Sequence, residues 1–209
     1  MALIHSWRRL SMYPWMRPLT ERRVLRKWER AGRPIPATPL IKQMIVKHYQ
    51  RRFKLRVLVE TGTFAGEMID AAIGRFDRIF SIELDERWYA NAKKRFAGRP
   101  EVVLLHGDSG ARLREVLSQL DEPALFWLDA HYSGPATARG LLDSPVVQEL
   151  DAIARHSVRG HVVLIDDMRD FNGTAGYPEA SALVEDLRNQ HPGDVVEIRD
   201  DVLRWHLRG

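Results

Sequence analysis

The sequence contains no cysteine among its 209 residues. This absence excludes disulfide bonds, thiolate nucleophiles and zinc sites with thiolate ligands, so any metal ion must bind through oxygen or imidazole. Long apolar runs are also missing. No stretch approaches the about 20 apolar residues that span a bilayer, and the N-terminus lacks the apolar core of a secretory signal. We therefore expect a cytoplasmic protein, and the length suits one domain with a modest extension.

Acidic side chains are scarce in the first part of the chain. Residues 1–56 carry 15 lysines and arginines against 2 acidic residues, whereas the remaining residues carry 17 against 26. The net charge of +4 therefore combines a basic segment with an acidic body. We interpret residues 1–37, which end in a stretch bearing glycine and prolines, as a basic arm and linker, and residues 38–209 as the folded domain.

The arm has three interpretations. Clustered lysines and arginines bind nucleic-acid phosphates. Arginines interleaved with Trp7 and Trp15 would instead suit an anionic membrane surface. The third interpretation is a helical cap that covers the active site or forms a homodimer interface.

Short apolar runs alternate with helix-length segments from residue 55 onward, which predicts a parallel sheet with helices on both faces. The last two apolar runs have no helix between them, and Asp200 and Asp201 supply the turn, so we expect a terminal hairpin. The predicted fold is α/β, with a doubly wound, mostly parallel, seven-stranded, Rossmann-like sheet and an antiparallel C-terminal strand. The five parallel runs are 57–59, 79–82, 102–105, 125–128 and 162–165.

Polar residues follow the first three runs, at the sheet edge where open parallel sheets bind ligands. Glu83 follows the second run, near the position where dinucleotide-binding folds place a ribose-binding acid. Asp108 and Ser109 follow the third run, and the Asp108 carboxylate can accept a hydrogen bond from an adenine amino group. Together these residues predict a nucleoside-bearing cofactor. After the first run stand Glu60, Gly62, Thr63, Phe64 and Gly66.

The glycine loop alone would also suit an ordinary strand-to-helix turn. Its combination with two acidic strand ends is more specific. A nicotinamide dinucleotide is the competing ligand, but the loop lacks the third glycine of that motif and Glu60 would repel a pyrophosphate. A ligand with an ammonium and a sulfonium suits Glu60 better.

The chain resembles class I S-adenosylmethionine-dependent methyltransferases, in particular small bacterial metal-dependent O-methyltransferases of the catechol and macrocin types. The resemblance covers roughly residues 40–207 and leaves the arm unexplained. It implies that Glu60 and its loop face the methionine part of the cofactor, Glu83 the ribose, and Asp108 with Ser109 the adenine. The stretches that carry it are 59–66, 81–84, 107–109, 126–131 and 164–167.

Three carboxylates follow the fourth and fifth runs: Asp129, Asp166 and Asp167. Adjacent strand ends should bring them together, and a cation with a preference for oxygen ligands, such as Mg²⁺, would neutralise them. The family resemblance places metal ligands at the same two strand ends. The alternative is a metal-free site in which Asp129 binds the cofactor's amino group and a second aspartate caps a turn.

An unperturbed imidazole titrates near neutrality, so His131 is our candidate general base beside Asp129, with Tyr132 second. A structural role is the alternative for His131. The catechol enzymes carry a lysine base where this chain has Tyr132, which argues against a catechol acceptor. We interpret residues 132–140, rich in small side chains, as a mobile lid or a plain surface loop.

The expected activity is O-methylation of a small-molecule hydroxyl, on a sugar or a natural product, with S-adenosylmethionine and a divalent metal ion. Methylation of nucleic acid through the basic arm ranks second, because the Pro-Pro-aromatic motif of base-directed methyltransferases is missing after the fourth run. A membrane-surface or partner-binding module is the third alternative.

Overall fold

The computed structural model describes residues 17–129, 145–174 and 176–208. Its strands are β1 (Val57–Thr61), β2 (Arg78–Glu83), β3 (Val102–His106), β4 (Ala124–Leu128), β5 (Val162–Ile165), β6 (Val195–Arg199) and β7 (Val202–His206). Its α-helices are α1 (Arg17–Arg30), α2 (Pro39–Phe53), α3 (Glu67–Ala72), α4 (Glu86–Arg95), α5 (Ser109–Leu117), α6 (Val146–Ala154) and α7 (Ala180–Gln190), and a 3-10 helix spans Met168–Asp170.

The seven strands form one sheet in the order β3-β2-β1-β4-β5-β7-β6. The first five strands pair in parallel, while β7 pairs antiparallel with both β5 and β6. The predicted doubly wound sheet and the predicted terminal hairpin are therefore confirmed. The strand order reverses between β1 and β4, and the crevice at this reversal is where open α/β sheets bind ligands.

Apolar side chains cover both faces of the sheet. One face packs against α5, α6 and α7, with Leu113 and Val116 fully buried. The other packs against α2, α3 and α4, with Ile69 fully buried. Because both faces are covered, β1 and β4 are buried along their whole length, as continuous apolar runs predict. Among the described residues, no helix combines the length and the apolar composition that a membrane span requires.

The described part of the predicted arm, residues 17–37, begins with helix α1, which packs against α2. Trp28 is buried, and its indole N–H donates to the Pro34 carbonyl at 3.0 Å. Lys47 of α2 is also buried and pairs with Glu21 of α1 at 2.6 Å. Residues 1–16, with Trp7 and Trp15, lie outside the described residues. The domain boundary after residue 37 stays a prediction.

Helix α1 exposes a row of basic side chains on the surface away from α2. An anionic partner for this surface, whether nucleic acid or membrane, stays a prediction, as does a homodimer. The exposed residues are Arg22, Arg23, Arg26, Lys27 and Arg30.

Candidate active site

The carboxyl end of β1 carries a buried acid. Glu60 is only 2% exposed, and its Oε2 accepts a 2.5 Å hydrogen bond from the Ser81 hydroxyl on β2. The Thr63 hydroxyl lies 2.6 Å from the same Ser81 oxygen. Burial, with repulsion from Asp129 and Glu83, raises the pKa of Glu60 from 4.5 to about 8. A cationic ligand group would therefore find its counter-charge here by displacing a proton.

The loop after β1 needs its glycines. Gly62 and Gly66 have φ angles of 88° and 72°, in the left-handed region that glycine adopts without strain. A Cβ atom on Gly66 would lie 2.8 Å from the ring of Phe96, the residue that follows α4. The absence of a side chain at Gly66 therefore also allows this ring to pack closely against the loop. The Gly62 N–H donates to the Ile82 carbonyl at 2.9 Å. The loop therefore turns tightly over the ends of β1 and β2.

Glu83, at the end of β2, connects this loop to the start of α4. Its Oε2 accepts from the Phe64 N–H at 2.7 Å, and its Oε1 accepts from the Asp85 N–H at 2.8 Å. Phe64 is 49% exposed, and its ring lies against Trp88 with centroids 4.3 Å apart. Each carboxylate oxygen can accept a second hydrogen bond, so Glu83 is oriented and retains capacity for ribose hydroxyls.

Asp108 and Ser109 open α5 beyond β3. The Asp108 carboxylate caps this helix by accepting from the Ala111 N–H at 3.2 Å, and Ser109 is buried. Asp108 therefore has a structural role, because this cap stabilises helix α5. A hydrogen bond from the adenine amino group to the other carboxylate oxygen of Asp108 stays a prediction.

The three acids at the ends of β4 and β5 converge. One oxygen from each of Asp129, Asp166 and Asp167 lies within 4.8 Å of the others. The sheet causes this convergence, because the Asp129 N–H donates to the Thr61 carbonyl and the Asp166 N–H to the Leu128 carbonyl, both at 3.0 Å. The predicted cluster is therefore present, and its members range from half-buried to fully buried.

Lys42, in the first turn of α2, points its ammonium into this cluster. It forms an ion pair with Asp166 Oδ2 and lies 2.8 Å from Asp167 Oδ1. Burial disfavours the charged form of Lys42, but attraction to Asp166 and hydrogen bonds to Asp166 and Asp167 together outweigh it and raise the pKa of Lys42 above its ordinary value. The cluster therefore contains a permanent cation that the strand-end pattern does not reveal.

Arg169, in the 3-10 helix after β5, supplies a second positive charge. Its Nη1 donates to Asp167 Oδ1 at 2.9 Å, and its side chain also pairs with Asp201. Burial opposes ionisation of Asp167, but hydrogen bonds from Arg169 and Lys42 outweigh it and lower its pKa to about 2. Burial, with repulsion from Asp129, raises the pKa of Asp166 above its ordinary value, while the Lys42 ammonium opposes this rise by stabilising the carboxylate. The pKa values of these two neighbouring acids are therefore shifted in opposite directions.

Comparisons with known proteins bear on the fold. No protein-family model matches the chain, and no curated protein matches its sequence. Solved structures do match. The O-methyltransferase from Bacillus cereus in complex with SAH has a TM-score of 0.57 at 15% identity, and the match covers 95% of this chain and 96% of that one.

The O-methyltransferase TomG from Streptomyces achromogenes, involved in tomaymycin synthesis and solved with SAM, has a TM-score of 0.58 at 14% identity. That match covers 90% of this chain and 89% of TomG. The chain has the class I methyltransferase fold. SAH-bound methyltransferase PaMTH1 from Podospora anserina matches similarly, with a TM-score of 0.58, 15% identity, and coverage of 89% and 88%. The predicted resemblance is confirmed at the level of the fold.

The methyltransferase fold raises the question whether a divalent metal ion fits the acid cluster. Three carboxylates are suitable ligands for Mg²⁺ by chemistry. Asp166 and Asp167, however, already share the Lys42 ammonium. The described arrangement therefore does not accommodate a divalent ion between these two aspartates unless Lys42 moves.

Some predicted residues of the reacting end lie outside the described residues. They are His131, the candidate base, with Tyr132 and the rest of segment 132–140. Their roles stay predictions.

Lys42 and Arg169 are the residues that sequence reasoning missed. The sequence carries one signal for Lys42: it is a cation in the first turn of a helix, and no acidic residue accompanies it in that turn. The helix dipole disfavours a cation at this position.

Proposed function

We propose that this protein is an S-adenosylmethionine-dependent methyltransferase that transfers a methyl group to a hydroxyl of a small molecule. The observation that carries the proposal is the set of Glu60, the glycine loop and Glu83 at the strand reversal of this fold. Three neighbours of the same fold were solved with SAM or SAH.

The cofactor's charges suit the site. Its α-ammonium would bind the buried Glu60 carboxylate. In the part of the chain that the structure describes, no cationic side chain contacts this carboxylate, and its burial strengthens the attraction to the ammonium. Its ribose hydroxyls would donate to Glu83, already oriented by two backbone N–H groups. Phosphates would be repelled by these same acids, which disfavours a nicotinamide dinucleotide.

In the transfer step, a lone pair on the acceptor oxygen forms the new O–CH₃ bond while the S–CH₃ bond breaks. The bonding pair stays on sulfur, which becomes a neutral thioether, and the hydroxyl proton passes to a base. The acid cluster lies at the same sheet edge as the loop and is the candidate acceptor side of the site. We propose His131 as the base, next to Asp129 in sequence.

The finer prediction is divalent-metal assistance at Asp129, Asp166 and Asp167. The convergence of the three carboxylates supports it, and the ion pairs of Lys42 oppose it. A sugar or natural product as acceptor rests on the resemblance alone.

Calorimetric titration with S-adenosylhomocysteine tests the proposal. We expect micromolar affinity, and a loss of tenfold or more in Glu83→Ala, because removing hydrogen bonds to a buried ligand costs about 1–3 kcal/mol. Glu86→Ala is the matched control, since Glu86 is an exposed acid three residues further on. Tight NADH binding, with no heat from the thioether ligand, would refute the assignment.

A further inference from the structure

The Lys42 ammonium contacts two of the three acids that form the predicted metal site. It lies 2.8 Å from Asp167 Oδ1 and pairs directly with Asp166 Oδ2, while the Lys42 side chain is only 17% exposed. Asp166 itself is fully buried. A buried carboxylate needs a counter-charge, and this lysine supplies it from a distant part of the sequence, since Lys42 and Asp167 are 125 residues apart.

The position of Lys42 on its helix disfavours a positive charge. Thr38 occupies the N-cap position of α2 and Pro39 is the first residue of the helix, so Lys42 lies in the first turn, where the helix dipole disfavours cations. The neighbouring Ile41 is 1% exposed and anchors the helix to the fold. The ammonium is therefore held in the cluster by its carboxylate partners and by the packing of α2.

A divalent ion and this ammonium would compete for the same two carboxylates. Mg²⁺ needs its oxygen ligands at about 2.0–2.1 Å, so an ion bound to both Asp166 and Asp167 would occupy the volume that the ammonium fills. The two cations would also repel each other at contact distance. Binding one therefore excludes the other from these two aspartates.

We propose that Lys42 supplies a built-in positive charge to the acid cluster, beside that of Arg169 on Asp167, and that it replaces a divalent metal ion and excludes one from Asp166 and Asp167. Lys42 is thus a positioning residue that holds the two acids beside the reacting edge of the sheet. The inference rests on the proposed function only in identifying that edge as the reacting one.

The test is a titration of the purified full-length protein with Mn²⁺, followed by calorimetry and by the electron paramagnetic resonance of free Mn²⁺. We expect no saturable binding to the native protein below millimolar concentration. Lys42→Met should bind Mn²⁺ at least tenfold more tightly, because Asp166 and Asp167 then lose the ammonium that they share, while Arg169 remains paired with Asp167. Adding Asp166→Asn to Lys42→Met should abolish the gain.

Lys47→Met is the matched control. Lys47 is a buried, ion-paired lysine on the same helix whose partner, Glu21, lies outside the cluster. This variant should behave like the native protein toward Mn²⁺. Equal gains in both lysine variants would overturn the inference, because they would show a general effect of lost positive charge.

Saturable micromolar Mn²⁺ binding by the native protein would also overturn the proposal, and this result needs no variant. Circular dichroism monitors folding, and Lys42→Gln replaces Lys42→Met if the latter does not fold. SAH is titrated into the same native sample. A protein that binds no SAH would refute the proposed function, while the Mn²⁺ isotherm would still decide the role of Lys42.

Discussion

Replacing Glu60 with glutamine should make the protein more stable at alkaline pH. The folded-state pKa of Glu60 is raised from 4.5 to about 8, chiefly by burial. Its contribution to stability is therefore fully present below the lower pKa and is lost as pH rises through the higher one. At about 1.36 kcal/mol per pKa unit, the loss between pH 5 and pH 8 is on the order of 3 kcal/mol.

Glutamine at position 60 keeps an oxygen that can accept from the Ser81 hydroxyl but carries no titrating charge. The measurement is guanidinium unfolding of both proteins at pH 5 and pH 8, comparing the free energy of unfolding extrapolated to water. Other groups that titrate in this range are present in both proteins, so their effects cancel in the difference. We expect the variant's advantage to grow by roughly 3 kcal/mol from pH 5 to pH 8. An advantage that is the same at both pH values would refute the assignment of a neutral, buried Glu60.

Three further predictions concern the ligand, the loop and the N-terminal helix. Affinity for S-adenosylhomocysteine should rise between pH 6 and pH 8, because its ammonium needs ionised Glu60, and calorimetry should show a flat profile for Glu60→Gln. Gly66→Ala should lower the free energy of unfolding by about 1–3 kcal/mol more than the control Gly74→Ala, because the added methyl group would clash with the Phe96 ring, whereas Gly74 has a similar φ but open space around it. Equal losses in urea unfolding would show that φ strain alone matters. Removing residues 1–35 should lower the Tm, because buried Lys47 loses its carboxylate partner, but should leave SAH affinity unchanged. A folded truncated protein that no longer binds SAH would place the N-terminal helix in the cofactor site.

The architecture could be predicted from local patterns in the chain. Five apolar runs separated by helix-length segments specify parallel strands, because only a sheet covered on both faces buries such runs completely. The polar residues after those runs then had to lie at one sheet edge, since parallel strands end on the same side. Glu60, Glu83 and the three aspartates were found by this reasoning.

The charge balance of the site was decided by tertiary structure. Lys42 and Asp167 are 125 residues apart, and no periodicity in the sequence links a helix that precedes the sheet to the end of its fifth strand. The packing of α2 on the sheet brings them within 2.8 Å. The same holds for the pKa of Glu60, because desolvation depends on the side chains that surround a group in space. Local sequence determined which acids stand at the strand ends, whereas the folded chain determined which of them carry a charge and which cation they face.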